Sequence, residues 1–171
     1  DVAAAAASLV DGAFYNAGQS CCAIERVYVH ETVHEEFVAR ALELVRAYRL
    51  GDPRDGATSL GPLALPSAPA FLRGQVLDAT AKGARLLCGG VETACPATGR
   101  GRFFAPALLD GCDHSMALMR DESFGPVLGV CKVASDAAAA EAVDVSPCGL
   151  PACSVSADVE RAEAFAARVD V

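Results

Sequence analysis

VYVHETVHEEFVARALELVRAY, residues 27–48, changes its periodicity part-way along, and that change decides the class of fold. Val27-Tyr28-Val29 is β-branched and aromatic, a composition that favours a short strand. Beyond it, Phe37, Val38, Ala41, Leu42, Val45 and Tyr48 recur every three or four positions, so a helix would gather them into one buried stripe. Thr32-Val33-His34-Glu35 has the spacing of a capping box that would open this helix, and Gly51 supplies a stop. His34 falls in the expected first turn, where exposure is anticipated. A strand passing at once into a helix is the repeating step of an α/β fold.

The alternation continues on both sides. The alanine-rich stretch 2–13 has high helix propensity, and Asn16-Ala17-Gly18-Gln19 is a polar break that should end it, with Asn16 shaping the loop. Ser20, Cys21 and Cys22 then occupy a loop ahead of the strand. Residues 52–69, rich in Gly, Pro, Ser and Asp, form a second loop that is too short to divide the chain into two domains. A helix is expected over 70–82 and a strand over 85–88, followed by a Gly89-Gly90 turn. Strands over 103–109 and 127–133 and helices over 136–143 and 156–168 complete the reading. Strands separated by helices of this length favour a mostly parallel sheet covered on both faces, because parallel neighbours need long right-handed crossovers.

Composition narrows the chemistry. With 53% hydrophobic and 21% charged residues in 171, the chain can bury a sizeable core. A net charge of −8 leaves no basic stripe to neutralise phosphates, which argues against nucleic acid or an anionic membrane as partner and favours a small molecule. The apolar runs are too short for a membrane span, and no cationic leader precedes the first helix. Eight cysteines, at 21, 22, 88, 95, 112, 131, 148 and 153, form no Cys-x-x-Cys pair, which argues against a zinc ribbon. Cys88, Cys131 and Cys153 sit in apolar runs, where a free thiol behaves as a small buried hydrophobe, and this points to a reducing compartment, the cytoplasm. His30, His34 and His114 show no metal-ligand spacing.

Phe14-Tyr15-Asn16-Ala17-Gly18-Gln19-Ser20-Cys21-Cys22-Ala23 resembles the cysteine active-site signature of the aldehyde dehydrogenase family. Gly18, Gln19 and Cys21 fall at its Gly-Gln-x-Cys positions, and Arg26 falls where the family commonly has arginine. The resemblance runs on through Gly51-Asp52-Pro53, Leu60-Gly61-Pro62, Leu86-Leu87-Cys88-Gly89-Gly90 and Phe104-Ala105-Pro106, so it covers nearly the whole chain. Glu122-Ser123-Phe124-Gly125-Pro126-Val127 is similar to the family's Glu-x-Phe-Gly-Pro segment. What the resemblance implies is a three-layer α/β/α catalytic domain over 1–171, with Cys21 as nucleophile and Cys22 a bystander. It further implies NAD or NADP as cofactor, with Glu122 accepting from the nicotinamide ribose and Phe124 lying near the ring. Arg26 is expected to be a structural ion-pair residue.

By the same resemblance the chain would oxidise an aldehyde to a carboxylic acid. A thiolate attacks the carbonyl, the thiohemiacetal loses hydride to NAD(P), and the thioester is hydrolysed. The family's cofactor domain, its general-base glutamate and its oxyanion asparagine all precede the region matching this chain, and its oligomerisation arm follows. A catalytic-domain fragment of a homo-oligomeric enzyme, inactive alone, is therefore expected. Two departures stand out: Ala68-Pro69-Ala70-Phe71 where many relatives carry a cofactor-binding lysine, and Cys148 before Gly149-Leu150 where tyrosine is common. The alternative reading is a truncated or degenerate relative that folds but serves as a scaffold. A cysteine hydrolase or redox protein is weaker still, since no histidine is placed as a base and no Cys-x-x-Cys occurs.

Overall fold

A computed structural model describes residues 1–146 and 152–170. Helix α1 (Val2–Phe14) opens on Asp1, whose carboxylate accepts from the backbone N–H groups of Ala3 (3.0 Å) and Ala4 (3.1 Å). Its buried side is Ala6, Val10, Ala13 and Phe14, one face at helical spacing. After strand β1 (Arg26–His30) comes α2 (His34–Arg46), which buries Phe37, Ala41 and Val45 of the expected stripe, with Val38, Leu42 and Tyr48 half-buried against the same core. The two helices pack together, and the rings of Phe14 and Tyr48 approach to 5.4 Å between centroids.

The start of α2 differs from the expected capping box. Val33 occupies the N-cap with no side-chain hydrogen bond, one residue beyond the expected Thr32, whose hydroxyl lies 2.9 Å from Nδ1 of His30. Glu35 and Glu36 in the first turn instead complement the helix dipole. His34 is buried, not exposed. Its Nε2 lies 2.8 Å from Asp110 Oδ1, and the same carboxylate pairs with the Arg85 guanidinium and accepts from the N–H of Gly111 (2.7 Å). A buried charge of this kind is tolerated only when its oxygens are satisfied from several directions.

The remaining elements are α3 (Ala68–Ala81), β2 (Arg85–Cys88), β3 (Glu92–Thr93), β4 (Phe103–Phe104), β5 (Ala107–Asp110), β6 (Val127–Val133), α4 (Asp136–Asp144) and α5 (Val159–Ala166). The main sheet has the order β1-β6-β5-β2, with β1 and β5 both parallel to β6 and the edge strand β2 antiparallel to β5. Every residue of β5 is buried, and so are Val127, Leu128 and Val130 in β6. Alternate residues of a strand face opposite ways, so both faces of the sheet are covered, as an α/β architecture requires.

The single strand expected over 103–109 is two strands in two sheets. Pro106 has no N–H to give a ladder, and partners change across it. Ala105 N–H donates to Val91 in the β3–β4 hairpin (2.9 Å), whereas Ala107 N–H donates to Pro126 at the start of β6 (2.9 Å). At the other end of the chain, α5 starts at an Asp158 cap and buries no residue; it is tied back by Arg161 to Asp136 at 2.6 Å. Cys153, expected to be buried, is exposed because residues 152–161 all face solvent, while Cys88 and Cys131 are half-buried. Cys148 lies outside the described residues. Among the described residues, no helix is long and apolar enough to cross a membrane, and no cluster of three His, Cys, Asp or Glu side chains could hold a metal ion.

Candidate active site

Strands β1 and β6 are parallel neighbours, with Arg26 opposite Gly129. The loops that feed them, 19–25 and 121–126, therefore leave the sheet at the same end. Topology thus brings together two segments about a hundred residues apart, one carrying Cys21 and the other Glu122 and Phe124.

The first loop is built around an unusual backbone. Asn16 (φ 50), Ala17 (φ 56) and Gly18 (φ 70) are successive left-handed residues, a conformation that costs a non-glycine residue about 1–2 kcal/mol. What holds the turn is a reciprocal pair of bonds. Asn16 Nδ2 donates to the Gln19 carbonyl (3.0 Å), and Gln19 Nε2 donates to the Asn16 carbonyl (3.1 Å). Gln19 also tethers the loop sideways, accepting from Ala64 N–H at 2.7 Å and donating to the Pro62 carbonyl at 3.3 Å. Asn16 therefore shapes the loop, as expected, while the helix itself ends earlier, at Phe14 with Tyr15 as its C-cap. Cys21 and Cys22 follow in a turn closed by Ala23 N–H on the Ser20 carbonyl (3.0 Å), and both are exposed. The Ser20 hydroxyl stands 3.1 Å from the sulfur of Cys22, so of the two thiols it is Cys22 that is engaged locally.

The second loop is locked to the first at three points. A Cβ on Gly18 would sit 2.5 Å from the Gly125 carbonyl carbon and nearer still to its oxygen, so only glycine permits this approach. Glu25, whose side chain is 11% exposed, accepts from the N–H groups of Ser123 and Phe124, both at 2.9 Å. Arg26 donates to the Asp121 carbonyl (2.9 Å) and to the Ser146 hydroxyl (3.2 Å), and lies 3.8 Å from Glu25. These bonds agree with a structural role for Arg26. Phe124 itself is left-handed (φ 48). The consequence is an alternation: Ser123 is 3% exposed, while Glu122 is exposed and Phe124 is 41% exposed.

Other thiols are in different surroundings. Burial pushes Cys112 up to about 12, and it likewise raises Cys88 and Cys131, so these three stay protonated at neutral pH. Cys95 is lowered by the Thr98 hydroxyl and neighbouring N–H groups. It borders an open cleft of about 560 Å³ with Arg54, Arg100 and Phe103, which shares Pro62 with the Gln19 anchor but includes neither Cys21 nor Glu122. His114 accepts or donates at 2.8 Å with the Tyr28 hydroxyl; burial, then Arg26, holds its pKa down. Glu25 and Gln19 are the site residues that motif reading leaves without a role.

Comparison with known proteins follows this geometry. The model of the "Aldehyde dehydrogenase family" matches residues 1–171. Vanillin dehydrogenase of Pseudomonas fluorescens is 40% identical over 170 residues, which are 99% of this chain and 34% of that protein. Succinate-semialdehyde dehydrogenase [NADP(+)] of Mycobacterium leprae is 38% identical over 150 residues, 88% of this chain and 32% of that one. A crystal structure of betaine aldehyde dehydrogenase from Staphylococcus aureus in complex with NAD+ superposes with a TM-score of 0.95 at 27% identity, over 100% of this chain and 34% of the other. The chain spans about a third of the length of the curated relatives it matches.

Proposed function

The chain belongs to the aldehyde dehydrogenase family, and on that premise we propose that it supplies the nucleophile and part of the nicotinamide contact for oxidation of an aldehyde to a carboxylic acid. The observation that carries this reading is the locked juxtaposition of the exposed Cys21 loop with the segment presenting Glu122 and Phe124.

Cys21 acts as the attacking group. Its thiolate forms a C–S bond to the aldehyde carbon, and the carbonyl oxygen becomes an oxyanion that the backbone N–H of Cys21 is suited to stabilise. NAD(P)+, when bound, supplies the hydride acceptor that converts this adduct to a thioester. Glu122 would accept from the ribose hydroxyls of that cofactor, and the Phe124 ring would lie beside its nicotinamide. Both fit that role, since the two are exposed on a backbone that Glu25 and Gly18 hold still. Water then cleaves the C–S bond, giving the acid and returning Cys21 as the thiol. Aromatic and small dicarboxylic semialdehydes are the substrates to try first, because the similar proteins above act on vanillin and succinate semialdehyde.

The test is NAD(P)H formation from an aldehyde by the product of the whole gene, with and without Cys21→Ala. A loss on the order of 10³-fold or more is expected for removal of a nucleophile. Undiminished turnover in the variant would overturn the assignment.

A further inference from the structure

Glu25 is not part of the motif reading, yet it joins both halves of the site. It lies four residues after Cys21 and accepts from two consecutive N–H groups, Ser123 and Phe124, at 2.9 Å each. Consecutive N–H groups turned to one side form a concave anion site, and a carboxylate seated in it makes two charge-assisted hydrogen bonds. The turn that points them there includes the left-handed Phe124, which a free chain would leave for a more favourable region. With the carboxylate in place that conformation is retained, Ser123 is turned inward, and Glu122 and the Phe124 ring are turned out. Arg26, 3.8 Å from Glu25 and bonded to the Asp121 carbonyl, braces the carboxylate and the start of the same loop.

We propose that Glu25 is a positioning residue for the cofactor, holding the Glu122–Phe124 backbone in its ligand-ready form and coupling it to the nucleophile loop. This rests on the assignment of Glu122 and Phe124 to the nicotinamide side. Glu25 touches neither substrate nor cofactor; it acts through the backbone of the segment that does. Removing it frees two N–H groups and releases the left-handed turn, so the expected loss is in cofactor binding rather than in the thiol.

The experiment uses the product of the whole gene and four proteins: wild type, Glu25→Ala, Glu25→Gln and Glu122→Ala. Calorimetric titration with NAD+ and NADP+ reports binding without turnover, deuterium exchange reports the amides of 122–125, and iodoacetamide labelling reports Cys21. Glu25→Ala is expected to weaken cofactor binding by about tenfold, the effect of losing a charged hydrogen-bond acceptor, and to speed exchange over 122–125 while Cys21 labels at the wild-type rate. Glu25→Gln, which keeps one acceptor oxygen, should lie between wild type and Ala. It also decides the matter if the Ala variant does not fold, since wild-type affinity and exchange in Glu25→Gln would overturn the proposal. Unchanged binding in both Glu25 variants, with weaker binding in Glu122→Ala, would overturn the role of Glu25 alone. Unchanged binding in Glu122→Ala would overturn the reading of the segment, and the proposal with it.

Discussion

Gly18 and Gly111 make a matched pair for isolating the contact that joins the two halves of the site. Their φ angles are almost the same, +70 and +71, but a Cβ on Gly111 meets nothing within 4 Å, whereas one on Gly18 runs into the Gly125 carbonyl and the Pro126 nitrogen at 3.1 Å. Gly111→Ala therefore costs only the left-handed conformation, about 1 kcal/mol. Gly18→Ala carries that same cost plus an overpacking term of about 1–3 kcal/mol. Its obstacle is backbone, and that backbone is pinned: Glu25 holds Ser123 and Phe124 on one side, and Ala107 N–H bonds to the Pro126 carbonyl on the other. The expected totals are about 1 kcal/mol for Gly111→Ala and about 2–4 kcal/mol for Gly18→Ala, or roughly 3 °C against roughly 10 °C in Tm for a domain of this size. Thermal unfolding followed by circular dichroism, with urea titration as a check, measures both. Equal losses in the two variants would refute the claim that Gly18 is required by the approach of the Gly125 carbonyl.

Two further outcomes follow from the same geometry. Burial raises the Tyr28 phenol to about 12 from 10 and the Cys112 thiol to about 12 from 9, so each folded group holds its proton more tightly than the unfolded one. Their contribution to stability is complete below pH 9 and falls as pH rises through the window from about 9 to about 12; urea midpoints should drop across it, and the deficit of Tyr28→Phe relative to wild type should shrink above pH 10, whereas a constant deficit would contradict the linkage. Gln19→Ala removes the acceptor of the Ala64 N–H and the donor to Asn16 and Pro62; a loss of about 1–3 kcal/mol is expected, with faster deuterium exchange at Ala64, and wild-type protection there would show that the tether does not hold the loop.

The α/β class was legible because strand and helix differ in period, and the stripe of Phe37, Ala41 and Val45 is the buried face of α2. Both chemical segments were legible as motifs, since glycines and prolines at fixed offsets carry a backbone requirement that survives in the letters. Other features depended on partners far along the chain. His34 looked exposed because its burial is set by Asp110, 76 positions later, and the helix opens at Val33, one residue beyond the expected Thr32 cap. Pro106 stood inside the single strand expected over 103–109, and the change of sheet across it depends on Val91 and Pro126. The antiparallel direction of β2 likewise comes from its pairing with β5 and not from its own composition. Glu25 was the residue least readable of all, because its partners are backbone N–H groups, which have no side-chain letter to pair with.

The central claim is that Cys21, and not the adjacent Cys22, bonds to the substrate. Acid quenching of the whole gene product during turnover of an aldehyde with NAD(P)+, followed by proteolysis and tandem mass spectrometry, would locate the acyl group directly. The expected result is acylation of Cys21, retained in Cys22→Ala and abolished in Cys21→Ala. Acyl label on Cys22, or on Cys95 in its cleft, would contradict the account.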